Sequence, residues 1–524
     1  MLSARKRSIW PWIVFCIILC GVVVLAIYLN NSTTDQTAEK INNTIDIDDG
    51  DLKINWNRYP TYDVELNETL EITEAGTYHL TGELSDGMIN LNIKNTVVKL
   101  ILDNVSIRNS SGPAIYCQDG EDLVIELIGN NYLEDGATYA ANYDEDVTGA
   151  LYVNADLTLG GDGSLIVESN YQDAIVGKDD IKINGGTYNI AASDDGIRGN
   201  DSIYIMDGDI AIKAGADAIK TKNENDIGKG FVLIEKGDFS LNSTAKAIKA
   251  SKSILIYDGN FMINSKDDAI HSNSYVGIIG GDINITSGDD GIHADRELII
   301  DDGAINITKA YEGLEAQAIT INSGDINVVA LDDGINAGGG ADNSATNRPG
   351  ANPFNADENC VLSINGGDIY INANGDGVDS NGYLYFSGGK VVVDGPTNDG
   401  NGALDAGVQI SFNGGEVIAV GASGMAESLG EKSGVCNISI YFSSTQAAGT
   451  EFKLEDSNGN VILEHTSAKT FSHLAAGSEK LIPGETYTVY IDDEAYDKFT
   501  ISTVTTTIGD SRANQNMMPT GGRR

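Results

Sequence analysis

Gly259-Asn-Phe-Met-Ile263, Gly281-Asp-Ile-Asn-Ile285 and Gly303-Ala-Ile-Asn-Ile307 follow one another at an interval of 22 residues. Each is a glycine followed by apolar residues in alternation, so the local period is two and the unit is a short strand. The same unit returns at Gly186, Gly208, Gly237, Gly324, Gly367, Gly389 and Gly415. A fixed period in this range marks a stacked-repeat fold, in which each unit buries its apolar side only against its neighbours.

Outward from that unit, a second strand precedes each glycine, as in Ile203-Tyr-Ile205, Ile254-Leu-Ile256 and Leu298-Ile-Ile300. A third apolar point follows it, at Ile175, Ile197, Ile219, Ile248, Ile270, Ile292, Leu314, Ile335 and Val378. Three strands per period suit one turn of a parallel β-helix. A leucine-rich repeat would show a Leu-x-x-Leu-x-Leu pattern, and a propeller blade would need about twice the period. The expected fold is therefore all-β: a right-handed parallel β-helix of about 22 residues per coil, its hand taken from the chirality of parallel crossovers. Where the spacing lengthens, loops should leave the coil, at Thr221 to Lys229 and at Ala337 to Asp357.

Aligning the third strands gives a column of acids one coil apart: Asp173, Asp195, Asp217, Lys246 as the exception, then Asp268, Asp290, Glu312, Asp333 and Asp376. Several coils double the acid, at Asp194, Asp267, Asp289 and Asp332. Like charges at strand spacing repel, so an outward ladder of this kind calls for cations, interleaved bases or open solvent. Ca²⁺ accepts about 6–8 hard oxygens in flexible geometry, which makes Asp173, Asp194, Asp195, Asp217, Asp267, Asp268, Asp289, Asp290, Asp332, Asp333 and Asp376 its expected ligands. The bland alternative is that Asp suits the turn before Gly or Ala.

Three residues on runs a second column, Arg198, Lys220, Lys249, His271 and His293, continuing as Glu315, Asn336 and Asp379. Its basic part is expected to meet the carboxylates of an acidic polysaccharide; mutual neutralisation of the two columns is the competing reading. Asn284, Asn306 and Asn327 form an outward amide ladder that is structural, because stacked amides pair along the coil axis. Candidate aromatic residues for stacking on sugar are Tyr171, Tyr204, Tyr257, Tyr275 and Tyr311.

At the ends of the chain the repeat fades. Arg5, Lys6 and Arg7 precede an apolar run from Ile9 to Leu29, long enough to span a bilayer with the remainder outside, although a cleaved signal peptide has similar features. The expected divisions are an anchor or signal over 1–29, a polar stalk over 30–57, the β-helix over 58–438 with irregular first coils and a cap, a small C-terminal β module over 439–508, and a disordered tail over 509–524. A net charge of −44, from 77 acids against 33 bases, excludes nucleic acid as a partner and welcomes divalent cations. Cys117, Cys360 and Cys436 share parity with apolar neighbours and read as buried thiols.

Several motifs in order resemble a bacterial carbohydrate-binding β-helix family typified by a clostridial cell-surface protein. They are Tyr78-His-Leu-Thr-Gly82, Val98-Lys-Leu-Ile-Leu-Asp103, Gly112-Pro-Ala-Ile115, Glu134-Asp-Gly136, Gly149-Ala-Leu151, the Asp-Asp-Gly-Ile corners and Asn401-Gly-Ala-Leu-Asp405. The resemblance implies a pectate-lyase-like fold, bound calcium, and recognition of cellulose or acidic sugars such as polygalacturonate; it carries over no catalytic residues. The expected function is thus a monomeric, surface-anchored, calcium-containing carbohydrate-binding protein. A calcium-dependent polysaccharide lyase using Arg198, Lys220 or Lys249 as base, and a purely structural or adhesive solenoid, are the alternatives.

Overall fold

A computed structural model of the chain describes residues 50–94, 96–338 and 356–509. These belong to a compact unit, Ile47–Arg524. The apolar run at 9–29, most of the insertion at 337–357 and the tail from 510 lie outside the described residues. No helix among those described is long and apolar enough to cross a membrane.

The described chain is a β-solenoid of about 14 turns with a separate small sheet. One coil shows the plan: Ser253–Ile256, then Asn260–Asn264, then Ile270–Ser272, each on a different face. Each pairs in parallel with its equivalent one coil on, in the registers Ile254↔Val276, Phe261↔Ile283 and Ile270↔Ile292. The alternation seen in the sequence decides what faces inward. Ile283, Ile285, Ile305, Ile307, Ile326 and Val328 are all at most 1% exposed, in one continuous core. Burying each such side chain stabilises by about 1.5–3 kcal/mol, a gain available only when the next coil is in place.

The repeat glycine makes the bend between the first two faces. Gly281 has φ +103°, and a Cβ there would stand 2.9 Å from the carbonyl oxygen of Gly259 in the preceding coil. Positive φ and this close backbone approach both demand glycine. The amide ladder forms as expected: Asn306 Nδ2 donates to Asn284 Oδ1 at 3.2 Å, and Asn327 Nδ2 to Asn306 Oδ1 at 2.7 Å. Cys117, Cys360 and Cys436 are buried and unpaired.

The C-terminal residues both close the stack and add to it. Phe471–Ser478 lies antiparallel to Glu416–Gly421 and to Asn437–Gln446, which pairs in turn with Thr505–Ile508. A four-stranded sheet orders Val461–Thr466, Glu451–Asp456, Thr486–Ile491 and Glu494–Thr500 beside it, over a second core containing Phe452, Leu454, Tyr487 and Val489. A change to antiparallel pairing covers a solenoid edge that would otherwise offer free backbone groups. At the other end, Asp51, within the segment read as stalk, is buried against the solenoid: it accepts from the Thr158 hydroxyl and lies 3.0 Å from Lys182 Nζ.

Candidate functional site

The strands of the third face set one residue per coil into a continuous register: Asn90, Tyr116, Tyr152, Val176, Arg198, Lys220, Lys249, His271, His293, Glu315, Asn336, Asp379 and Asp405. The second column aligned in the sequence is thus physically one column. After Asn90 it is sorted along the axis, with Tyr116 and Tyr152 first, then, past Val176, the cations, then the imidazoles, then acids interrupted by Asn336.

Beside it runs the acid column, and its orientation differs from the outward ladder expected. Asp173, Asp195, Asp217, Asp268 and Asp290 are buried, at 0–4% exposure. Along this column one carboxylate oxygen is given over to the backbone of the next coil. Asp173 Oδ1 accepts the N–H of Asp195 at 3.1 Å, Asp195 Oδ1 that of Asp217 at 3.1 Å, and Asp268 Oδ1 that of Asp290 at 3.1 Å. The corner leaves this amide without a ladder partner, and a buried unpaired N–H is expensive, so a short side-chain acceptor from the preceding coil is recruited. Asp217 Oδ1 serves the N–H of Lys246 in the same way. Since Lys246 offers no acceptor in return, the N–H of Asp268 turns to Asp267 Oδ1, at 3.0 Å.

The other oxygen meets the base column. Arg198 Nη2 lies 2.7 Å from Asp173 Oδ2, and Lys220 Nζ lies 3.1 Å from Asp195 and 2.7 Å from Asp217. Lys246 Nζ lies 3.1 Å from Asp267 and 2.6 Å from Asp268. His271 Nδ1 stands 2.9 Å from Asp268 Oδ2, and His293 Nδ1 stands 3.1 Å from Asp290 Oδ2 and 2.7 Å from Glu315 Oε2. Burial alone would lower the pKa of His293, but its bonds to Asp290, Asp295 and Glu315 outweigh that and hold it up at about 12. Burial works against Lys220 too, and Asp217 and Asp195 still raise it.

The described geometry follows the competing reading, mutual neutralisation of the two columns, over part of their length. Arg198, Lys220, His271 and His293 are not an open row of cations but partners of the acids, because both columns point into the coil-to-coil junction. Arg198 and Lys220 are therefore engaged rather than free as proton-abstracting bases. Lys249 differs: it is half-buried and enters no ion pair among the described residues. Likewise Asp173, Asp194 and Asp195 converge, as do Asp267, Asp268 and Asp289, but Arg198 and Lys246 already supply positive charge to these groups.

Beyond His293 no lysine or arginine among the described residues pairs with either column. Asp333, Asp376 and Asp379 bring one oxygen each within 4.8 Å of one another. Asp405 follows Asp379 in register, and the N–H groups of Asp376 and Gly402 are capped by Asp333 and Asp376. Burial, then neighbouring carboxylates, push Asp333 up to about 8 and Asp376 up to about 6. The same causes raise Asp379 well above the carboxylate range and Glu427 to about 7, with Asp405 and Asp376 acting on the latter. Asp332 instead holds the Tyr311 hydroxyl, raising it to about 12. Glu427 also lines a surface cleft with Ala406, Val408, Gln409, Ser428 and Lys432.

Asp379, Asp405 and Glu427 were not among the expected metal ligands. Asp379 sits in the column read as basic, and Asp405 closes the corner Gly402-Ala-Leu-Asp405, whose acid-column position is a glycine. Glu427 follows the last repeat and carries no periodic signal. Of the aromatic candidates, Tyr171 stacks on Tyr139 at 4.3 Å, and Tyr204 bonds Glu235.

Comparison with known proteins gives three findings. A carbohydrate-binding domain-containing protein of Acetivibrio thermocellus is 33% identical over 128 residues, which are 24% of this chain and 45% of that relative, so the match spans less than half of the relative's length. A solved polysaccharide lyase-like protein from C. thermocellum, a gadolinium derivative, is 29% identical and covers 46% of this chain and 95% of its own, with a TM-score of 0.38. The model of the carbohydrate-binding domain-containing proteins matches residues 66–272 and 251–346, more than half of the sequence, and the chain belongs to that family.

Proposed function

We propose that this protein is a non-catalytic, calcium-containing carbohydrate-binding solenoid held at the cell surface, and that it recognises cellulose or an acidic polysaccharide such as polygalacturonate. The carbohydrate part rests on family membership. The observation that carries the calcium part is the run Asp333, Asp376, Asp379 and Asp405, which meets no basic side chain among the described residues. Carboxylates this crowded hold protons or a cation, and their donor set is the hard-oxygen set that suits Ca²⁺. These four residues would hold the ion, with Asp332 and Glu427 next to them. When bound, Ca²⁺ would supply positive charge for a uronate carboxylate on an otherwise acidic surface. The cleft at Glu427 and Lys432 offers a place for the sugar chain beside it, and Lys249 is a base left for a further carboxylate.

Surface attachment is supported by Arg5, Lys6 and Arg7 ahead of the apolar run at 9–29. Retention on immobilised polygalacturonate and on cellulose, with Ca²⁺ and with chelator, tests the whole reading. We expect polygalacturonate binding that chelator and Asp376→Asn both abolish. Equal retention with and without Ca²⁺ sinks the bridging role, and unsaturated products in the flow-through replace binding by lysis.

A further inference from the structure

We infer that His293, Asp290 and Glu315 form a second metal site, selective for an imidazole-accepting divalent cation of the Zn²⁺ class and separate from the calcium face.

The argument starts from two histidines that are near replicas. His271 and His293 stack at 4.9 Å with 17° between their planes. Each ring turns Nδ1 to the acid of its own corner, Asp268 or Asp290, and Nε2 to an oxygen two residues on, Asn273 Oδ1 at 3.1 Å or Asp295 Oδ1 at 3.2 Å. The stations differ in what else reaches the corner acid. At His271, Lys246 Nζ also reaches Asp268 Oδ2. At His293 a carboxylate takes that place: Glu315 Oε2 and Asp290 Oδ2 crowd the same Nδ1, and neither acid meets a lysine or arginine among the described residues.

One N–H cannot serve two carboxylate oxygens well. Glu315 Oε2 is left without a hydrogen-bond partner of good geometry among the described residues, as is Asp290 Oδ1, although the two residues are only 4% and 0% exposed. Glu312, also buried, stands one coil on in the acid column and adds further negative charge. One imidazolium charge does not balance this group, so buried carboxylates are left that only protons or a further cation can neutralise. The ligand atoms of Asp290, His293 and Glu315 lie within 4.8 Å of one another. A cation in place of the Nδ1 proton would meet two carboxylates and one imidazole. The Nε2 hydrogen bond to Asp295 is the outer partner that fixes the tautomer and aim of a metal-binding histidine. Imidazole nitrogen favours Zn²⁺ and its first-row neighbours, whereas Ca²⁺ takes oxygen alone.

Cobalt is the probe, since Co²⁺ occupies N/O sites and is visible. Full-length protein produced in Co²⁺-supplemented medium and dialysed against excess Ca²⁺ should keep about one Co²⁺ per chain, with visible absorption bands. Its NMR spectrum should show hyperfine-shifted imidazole protons. His293→Gln and Glu315→Gln should each weaken Co²⁺ retention at least about tenfold. Asp376→Asn should leave it intact, so this site and the calcium reading fail independently. No retained Co²⁺ in the wild type, or no shifted imidazole signal, overturns the proposal and leaves shared protons as the neutralising charge. Equal retention in Glu315→Gln overturns it too, and if His293→Gln does not fold, the wild-type spectrum and Glu315→Gln still decide.

Discussion

Lys246 Nζ stands 2.6 Å from Asp268 Oδ2, with both residues buried, and Lys246 occupies a position that neighbouring coils give to an acid. The pair is where the acid column reverses sign, and it keeps the doubled acids Asp267 and Asp268 tolerable. His271 and Lys246 together hold Asp268 below the carboxylate range despite the burial that pushes it up. Lys246→Met removes a charged partner from a buried carboxylate and should cost about 3–5 kcal/mol in urea unfolding. Adding Asp268→Asn should recover part of that loss; a double variant as unstable as the sum of the single ones would show that the two residues act separately.

The uncompensated acids give a pH dependence of definite sign. Asp376, Glu427 and Asp333 are raised by burial to about 6, 7 and 8 respectively, against about 4 for an ordinary carboxyl. A carboxyl that holds its proton more tightly in the folded state stabilises the fold while protonated and loses that contribution as pH rises through its folded pKa. With chelator present, the melting temperature should therefore fall between pH 5 and pH 8.5. Excess Ca²⁺ should flatten the profile, and a chelator profile that rises over this range would refute the assignment.

Asp195 separates charge from acceptor. Asp195→Asn keeps an oxygen for the N–H of Asp217 while giving up the charge opposite Lys220, which retains Asp217. Asp195→Ala abandons both and strands a buried amide. The alanine variant should lose about 1–3 kcal/mol more than the asparagine variant by chemical denaturation. Equal losses would mean that the ion pair, not the amide, matters.

Gly281→Ala places a Cβ 2.9 Å from the Gly259 carbonyl at a φ of +103°. Strain of this kind costs about 1–3 kcal/mol. Gly449 also has positive φ, +87°, but nothing within 4 Å of its Cβ position. Gly449→Ala should consequently be milder, and the difference between the two denaturation midpoints measures the close approach alone.

The coil was readable because its determinants are periodic and local. Glycine at the bend, two-residue alternation and the pairing of Asn284 with Asn306 all repeat in text that can be aligned. The direction of the acid column was not readable from the same text. Asp195 precedes Gly196 and Ile197 as a surface turn residue would, and only the backbone of the next coil reveals an amide waiting for its Oδ1. The calcium candidates were spread over the whole column for the same reason. Which of them keep uncompensated charge among the described residues depends on Arg198, Lys220 and Lys246 reaching across coils to Asp173, Asp195 and Asp268, and on Asp405 stacking over Asp379. The burial of Asp51 against Lys182 is likewise a long-range meeting with no periodic trace.

The amide caps between coils run one way: the acceptor oxygen belongs to the earlier coil and the donor N–H to the later one, from Asp173 and Asp195 to Asp376 and Gly402, while Asp268 alone of those described takes its cap from its own coil. During synthesis the oxygen always arrives first. A corner with such an acid therefore carries the acceptor that the following coil needs, a relay interrupted at Lys246, which has no acceptor, and at Asp290, whose Oδ1 meets no donor among the described residues. A chain truncated just after Asp173, Asp195 or Asp268 would end on a carboxylate that lacks its amide.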